Sequence, residues 1–134
     1  MKKTVIHVSG KRKSAVAKAT LKKGKGTVRI NSQSLNIYQP SLARLRIQEP
    51  LQIAGDIIKE VDIAVKVNGG GWQAQAEASR LAIARALVEY SKDKKLRQDF
   101  LDYDRHLLIA DVRRKEPRKP NDSKARAMRQ SSKR

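Results

Sequence analysis

The first acidic residue of the chain is Glu49; before it every charged side chain is positive. Residues 1–48 hold twelve Lys and Arg and no Asp or Glu, residues 49–112 hold nine basic and eleven acidic side chains, and residues 113–134 hold ten basic and two acidic. The net charges of these zones are +12, −2 and +8. Like charges resist compaction, so a self-supporting core must centre on the near-neutral middle, while the basic ends call for an anion. A total of +18 makes a polyanion the expected partner: RNA, DNA or an anionic membrane. The 134 residues suit one core with an appendage. The expected division is a globular α/β domain over residues 1–112 and an extended basic tail over 113–134, disordered when free, where Pro117 and Pro120 interrupt a run with little to bury.

Hydrophobic periodicity organises the rest. Thr4 to Val8, Ala15 to Leu21 and Thr27 to Ile30 read as strands separated by glycine-bearing turns at Gly10 and Gly24-Lys25-Gly26, an antiparallel meander with cationic loops. Pro40 can open a short helix at Ser41 to Ile47, and Pro50 suits the first turn of a second one running to Ile58. Val61 to Val67 alternates as a strand with one buried face. Gln73 to Tyr90 reads as a helix, with Glu77/Arg80 and Arg85/Glu89 spaced to pair across one turn. Its alanines at 74, 76, 78, 82, 84 and 86 surround the whole circumference, which predicts close packing against a sheet. Lys94 to Tyr103 follows as an amphipathic helix.

Several chemistries lose support. No window approaches the ~20 apolar residues of a membrane-spanning helix, and the chain reads as soluble without a secretory signal. Cysteine is absent, which removes disulfides, thiolate metal sites and Cys nucleophiles. His7 and His106 have no metal-ligand or triad spacing beside them. Asp102, Asp104 and Asp111 lie among Arg105, Arg113 and Arg114, a setting for ion pairing rather than acid catalysis. Gly69-Gly70-Gly71 follows a strand and precedes a helix but lacks the GxGxxG order, and no GxxxxGK[ST] occurs. Two compatible readings remain: a tight turn at positive φ, and a helix N-terminus facing an RNA phosphate. No enzyme activity, metal or organic cofactor is expected.

The cations have a pattern of their own. Gly10-Lys11-Arg12-Lys13-Ser14 sets three of them in what reads as one loop between strands, suited to a nucleic-acid backbone. The tail repeats them at Arg113, Arg114, Lys115, Arg118, Lys119, Lys124, Arg126, Arg129, Lys133 and Arg134, rich in the planar forks that bind phosphate bidentately. Few aromatics are present to stack bases, so phosphate contact and shape recognition of a folded RNA are favoured. A DNA-compacting protein needs the same excess of cations. An RNA-processing enzyme would need a metal requirement or turnover that no spacing suggests.

Three stretches resemble the family of small ribosomal subunit protein nine as it occurs in archaea and eukaryotes. They are Gly10-Lys11-Arg12-Lys13-Ser14-Ala15-Val16-Ala17; Gly69-Gly70-Gly71-Trp72-Gln73-Ala74-Gln75 on to Arg80 and Ile83-Ala84-Arg85-Ala86-Leu87; and the basic tail ending in Lys133-Arg134. The tail departs from the family pattern at Asn121-Asp122-Ser123-Lys124, where glycines are common, and at Ser131-Ser132, where an aromatic often precedes the last Arg. The resemblance implies an α/β (α+β) two-layer sandwich, a mixed sheet packed by helices, with a left-handed βαβ crossover where the general rule is right-handed. It further implies a structural constituent of the small-subunit head in the cytoplasm, bound to ribosomal RNA and neighbouring head proteins. The turn of Gly69, Gly70, Gly71 and Gln75 would lie near RNA, with Lys133 and Arg134 reaching peptidyl-site tRNA.

Overall fold

Strict alternation of buried and outward residues builds the sheet. In β2 (Ala15–Lys23) the inward positions are Ala15, Ala17, Ala19 and Leu21; in β5 (Val61–Asn68) they are Val61, Ile63, Val65 and Val67, all buried. A computed structural model describes residues 5–113 of the chain. Besides β2 and β5, it contains β1 (Val5–Arg12), β3 (Val28–Ile30), β4 (Gln33–Ser34), α1 (Ser41–Ala54), α2 (Trp72–Ser91) and α3 (Lys94–Tyr103), with short 3-10 turns after β4, α1 and α3. The sheet is mixed, ordered β1-β2-β5-β3-β4. Helices cover one face, giving an α+β fold of two layers.

The meander holds for its first hairpin only. β1 and β2 pair antiparallel, but β5 pairs with the other edge of β2, and β3 lies beyond it, parallel to β5. The eight-residue β5 matches β2 from Val16 to Lys23, a ladder that the three residues of β3 cannot offer. The Gly24–Gly26 turn carries the chain past β5: Asp62 accepts the Lys25 and Thr27 N–H groups at 3.0 Å each, and Gly24 N–H donates to the Glu60 carbonyl at 2.8 Å. Beyond β3, the Asn31 side chain continues the pairing by donating to the Val67 carbonyl and accepting its N–H.

Pro50 does not begin a second helix but sits inside α1. It removes one N–H and crowds the preceding turn, yet the buried stripe Ala43, Ile47, Pro50 and Ala54 keeps the helix in register to Gly55, whose φ of 65° ends it. Gly10, expected in a turn, instead occupies a buried position of β1. A Cβ there would lie 2.5 Å from the Ala78 carbonyl oxygen and 2.8 Å from the Ala82 nitrogen, so this glycine lets α2 approach the sheet.

The alanine-rich helix packs as its composition predicts. α2 lies on β1, β2 and β5 and also against α1 and α3. With neighbours on several sides, Ala76, Ala78, Ala82, Ala84 and Ala86 are all fully buried, which is why no single apolar stripe is visible. α3 begins at the residue the sequence suggests, capped by Asp93 accepting the Lys95 N–H at 2.9 Å, and inserts Leu96 and Phe100 into the core.

Candidate nucleic-acid interface

The β1–β2 pairing runs to Arg12 opposite Ala15, so the expected cationic loop is a turn of only Lys13 and Ser14, with Lys13 at a φ of 52°. Strand alternation then separates the three cations. Lys11 and Lys13 are exposed, whereas Arg12 turns toward the helical layer. Its Nε lies 2.6 Å from Glu77 Oε2 and its Nη1 2.5 Å from Asp111 Oδ2. Adjacent to the lysines in sequence, Arg12 is in the fold a tether between β1, α2 and the end of the described chain.

The triglycine turn abuts this hairpin. Gly69 and Gly70 take φ of 79° and 67°, as the positive-φ reading requires, whereas Gly71 has an ordinary φ of −88° and caps α2. A Cβ on Gly69 would come within 2.4 Å of the Ser14 carbonyl oxygen, and one on Gly70 within 3.2 Å of Ala15. Gln75 holds the turn closed, its Nε2 donating to the Gly69 carbonyl at 3.1 Å. α2 starts with no side-chain cap and no acid in its first turn, so its leading N–H groups have no carboxylate near them in sequence.

A third segment joins at the same corner. Asp111 accepts the Arg113 backbone N–H at 3.0 Å and is gripped by the Arg113 guanidinium, with Nη2 at 2.6 Å, while also facing Arg12. The chain therefore leaves the described region beside residues 12–15, next to the hairpin and glycine turns. The remaining tail positions, Arg114, Lys115, Arg118, Lys119, Lys124, Arg126, Arg129, Lys133 and Arg134, lie outside the described residues.

Ion pairing follows tertiary packing rather than helix spacing. Glu77 pairs with Arg12 and with Arg46 at 2.8 Å, and Arg80 with Glu49 at 2.7 Å and Asp104 at 3.0 Å. Arg85 donates to the carbonyls of Leu108 and Ser9 at 3.0 Å each. A solvent-exposed pair within a helix contributes only a few tenths of a kcal/mol, so partners from other elements displace the expected Glu77/Arg80 and Arg85/Glu89 pairs around these partly buried arginines. Asp102 accepts from Gln98 instead of an arginine. At this corner Glu77, Asp104 and Asp111 are thus paired with arginines of the chain itself, while Lys11 and Lys13 are exposed and pair with no carboxylate among the described residues.

The carboxylate shifts agree. Side-chain and backbone hydrogen bonds from Arg113, with the nearby Arg12 charge, hold Asp111 well below the usual carboxylate range. Burial alone would raise Asp104, but the His106 N–H and the hydrogen bond and charge of Arg80 together outweigh it and lower its pKa. A depressed folded pKa means that the stabilisation is complete above the unfolded value and is lost as pH falls through the folded one. Asp104→Asn is therefore expected to lower the melting temperature at about pH 6 to 7, with the gap from wild type closing as pH is taken down toward about 2. A gap unchanged across that range would show that the charge of Asp104 contributes nothing.

The cleft among these pairs, bordered by Lys11, Arg80 and Asp104, has a volume of about 130 Å³. Small-molecule sites are usually ~300 Å³ or more and mainly apolar; this one is small and lined mostly by charged side chains, among them the paired Arg12, Glu77, Arg80, Asp104 and Asp111. Among the described residues no three His, Asp or Glu side chains converge as metal ligands, and no helix is long and apolar enough to cross a membrane. Lys18 and Lys66, which belong to no motif of the sequence, are exposed on the uncovered side of β2 and β5; the alternation that marks the core residues beside them already assigns them outward.

Residues 10–134 match the family described as ribosomal protein S9/S16. Two curated relatives named small ribosomal subunit protein uS9, from two strains of Methanococcus maripaludis, are each 42% identical over 130 residues, covering 96% of this chain and 97% of the relative.

Proposed function

The chain belongs to the ribosomal protein S9/S16 family, and from that premise we propose that it is built into the head of the small ribosomal subunit by gripping ribosomal RNA at the corner where its hairpin turn, glycine turn and tail root meet. Its role in the subunit is structural rather than enzymatic. The observation that carries the proposal is the convergence of these three segments on residues 12–15, with Glu77 and Asp111 already paired with Arg12 and Arg113 of the chain itself. Lys11, Lys13 and the tail beyond the Arg113–Asp111 clasp neutralise phosphates, and each contact releases counterions. Gly69, Gly70 and Gly71 bring backbone and the start of α2 close to the RNA, with Gln75 fixing the turn. Arg12 acts one step back, orienting the hairpin on α2.

The tail extends this grip to peptidyl-site tRNA, which Lys133 and Arg134 contact, and neighbouring head proteins complete the site in the cytoplasmic ribosome. The test is sedimentation of a cell lysate on a high-salt density gradient, with the protein followed by immunoblot and an RNase-treated control. Migration with the small subunit, abolished by RNase, is the expected result. Migration with chromosomal DNA, or at the top of the gradient, would overturn the proposal.

A further inference from the structure

We propose that the uncovered face of the sheet is a second RNA-docking surface, on which Lys11, Lys18, Lys66 and Arg29 hold the sugar-phosphate backbone of a folded, base-paired RNA. The inference rests on the reading of the chain as a ribosomal RNA protein and adds a surface that the corner does not include.

The helical layer covers only the face carrying Ala17, Val65 and their neighbours, so the alternate residues of four strands point the other way. Lys18 stands directly opposite Lys66 in the β2–β5 register, and both are exposed. Like charges at directly opposed positions destabilise a sheet, so the free protein carries a repulsion that an anion between the two ammonium groups would relieve. Lys11 lies one strand over and two residues along, since Ser9 is opposite Lys18 and Lys11 opposite Val16. Arg29, exposed on β3, is opposite Ala64, whose small side chain leaves the sheet low beside it.

Among the described residues nothing on this face neutralises these cations, and none of the four pairs with a carboxylate. The acid that shares the face, Asp62, is drawn to the Lys25 and Thr27 N–H groups, which hold its pKa low.

Charge complementarity therefore specifies a polyanion, and the outward positions narrow it further. They carry no Phe, Tyr or Trp on which unpaired bases could stack, and the single ring among them, His7, is engaged with the Thr20 hydroxyl at 3.1 Å, which favours the backbone of a duplex over a single strand. Lys11 belongs both to this face and to the hairpin corner, making the two surfaces continuous.

The test uses the full chain and purified small-subunit ribosomal RNA in filter binding across a salt series. A variant carrying Lys18→Gln, Lys66→Gln and Arg29→Gln is compared with a charge-matched control carrying Lys94→Gln, Lys95→Gln and Arg97→Gln on exposed α3. Each lost phosphate contact should flatten the log–log salt dependence by about 0.7 to 0.9, so the sheet variant is expected to lose about two units of slope and the control under one. Thermal melting should show the sheet variant folded and at least as stable as wild type, because the Lys18–Lys66 repulsion is gone. Equal slopes for the two variants would overturn the docking face while leaving the ribosomal reading intact. Failure of the wild-type chain to prefer ribosomal RNA over duplex DNA would instead overturn that reading, and the face with it.

Discussion

Ending the chain after Arg113 is expected to weaken binding to purified small-subunit RNA by about three orders of magnitude at ~0.15 M salt and to flatten its salt dependence, with little effect on thermal melting. The truncation removes nine Lys and Arg, from Arg114 to Arg134. At that salt each neutralised phosphate contributes roughly 0.7 of a decade through counterion release, so contacts from about half of these cations suffice. Melting is spared because the buried side chains that close the core at this end, Phe100 and Leu107, precede the cut, and the Asp111–Arg113 clasp is retained. Removing only Ser132 to Arg134 separates the two roles assigned to the tail. Ribosomal RNA affinity should fall by about a decade or less, while retention of peptidyl-site tRNA by the assembled subunit drops. An unchanged salt slope after the long truncation would sink the tail as an RNA-binding element; unchanged tRNA retention after the short one would sink the tRNA contact.

Gly10→Ala is expected to be the most damaging single substitution in the folded region, costing about 3 kcal/mol, at the upper end of what overpacking usually costs. Near the midpoint this corresponds to a fall in melting temperature of roughly 15 °C for a domain of this size. The new methyl would press on the Ala78 carbonyl oxygen and Ala82 nitrogen, backbone atoms of a helix held between the sheet and α1. Relief requires α2 to lift from β1, and a larger side chain such as valine should leave little folded protein. Gly71→Ala is the natural control. Its φ is −88° and a Cβ there meets no atom within 4 Å, so it should melt within a few degrees of wild type. Indistinguishable melting of the Gly10 and Gly71 variants would mean that α2 does not approach the strand as closely as described.

The Gln73–Tyr90 and Lys94–Tyr103 helices and the Val61–Val67 strand were legible to within a residue or two, because strand alternation, a helix-forming composition and the break at 69–71 are local signals. The α1 boundary misled, because Pro50 carries the same local signal at a helix start as inside a helix whose buried stripe overrides it. Of the candidate interface, the lysines of the hairpin and the glycine turn were legible as separate motifs. That Gly69 touches Ser14, or that Arg12 spans Glu77 and Asp111, was not, since these contacts join residues 55 to 99 positions apart.

What the sequence determined by itself is the alternation that makes strands, the Ala-, Leu- and Ile-rich run that makes α2, the amphipathic spacing that makes α3, and the charge excess that demands an anionic partner. Each depends on nearest neighbours along the chain or on simple composition. Tertiary structure alone decided that β5 lies between β2 and β3, that Gly10 admits a helix backbone, and which acids neutralise Arg12 and Arg80. It also left Lys18 opposite Lys66 with the sheet uncovered on that side. The physical reason is that strand order, close packing and the pairing of desolvated charges are energies of approach between distant segments. A linear pattern states what each segment can bury, and only the folded chain selects the surface that it meets.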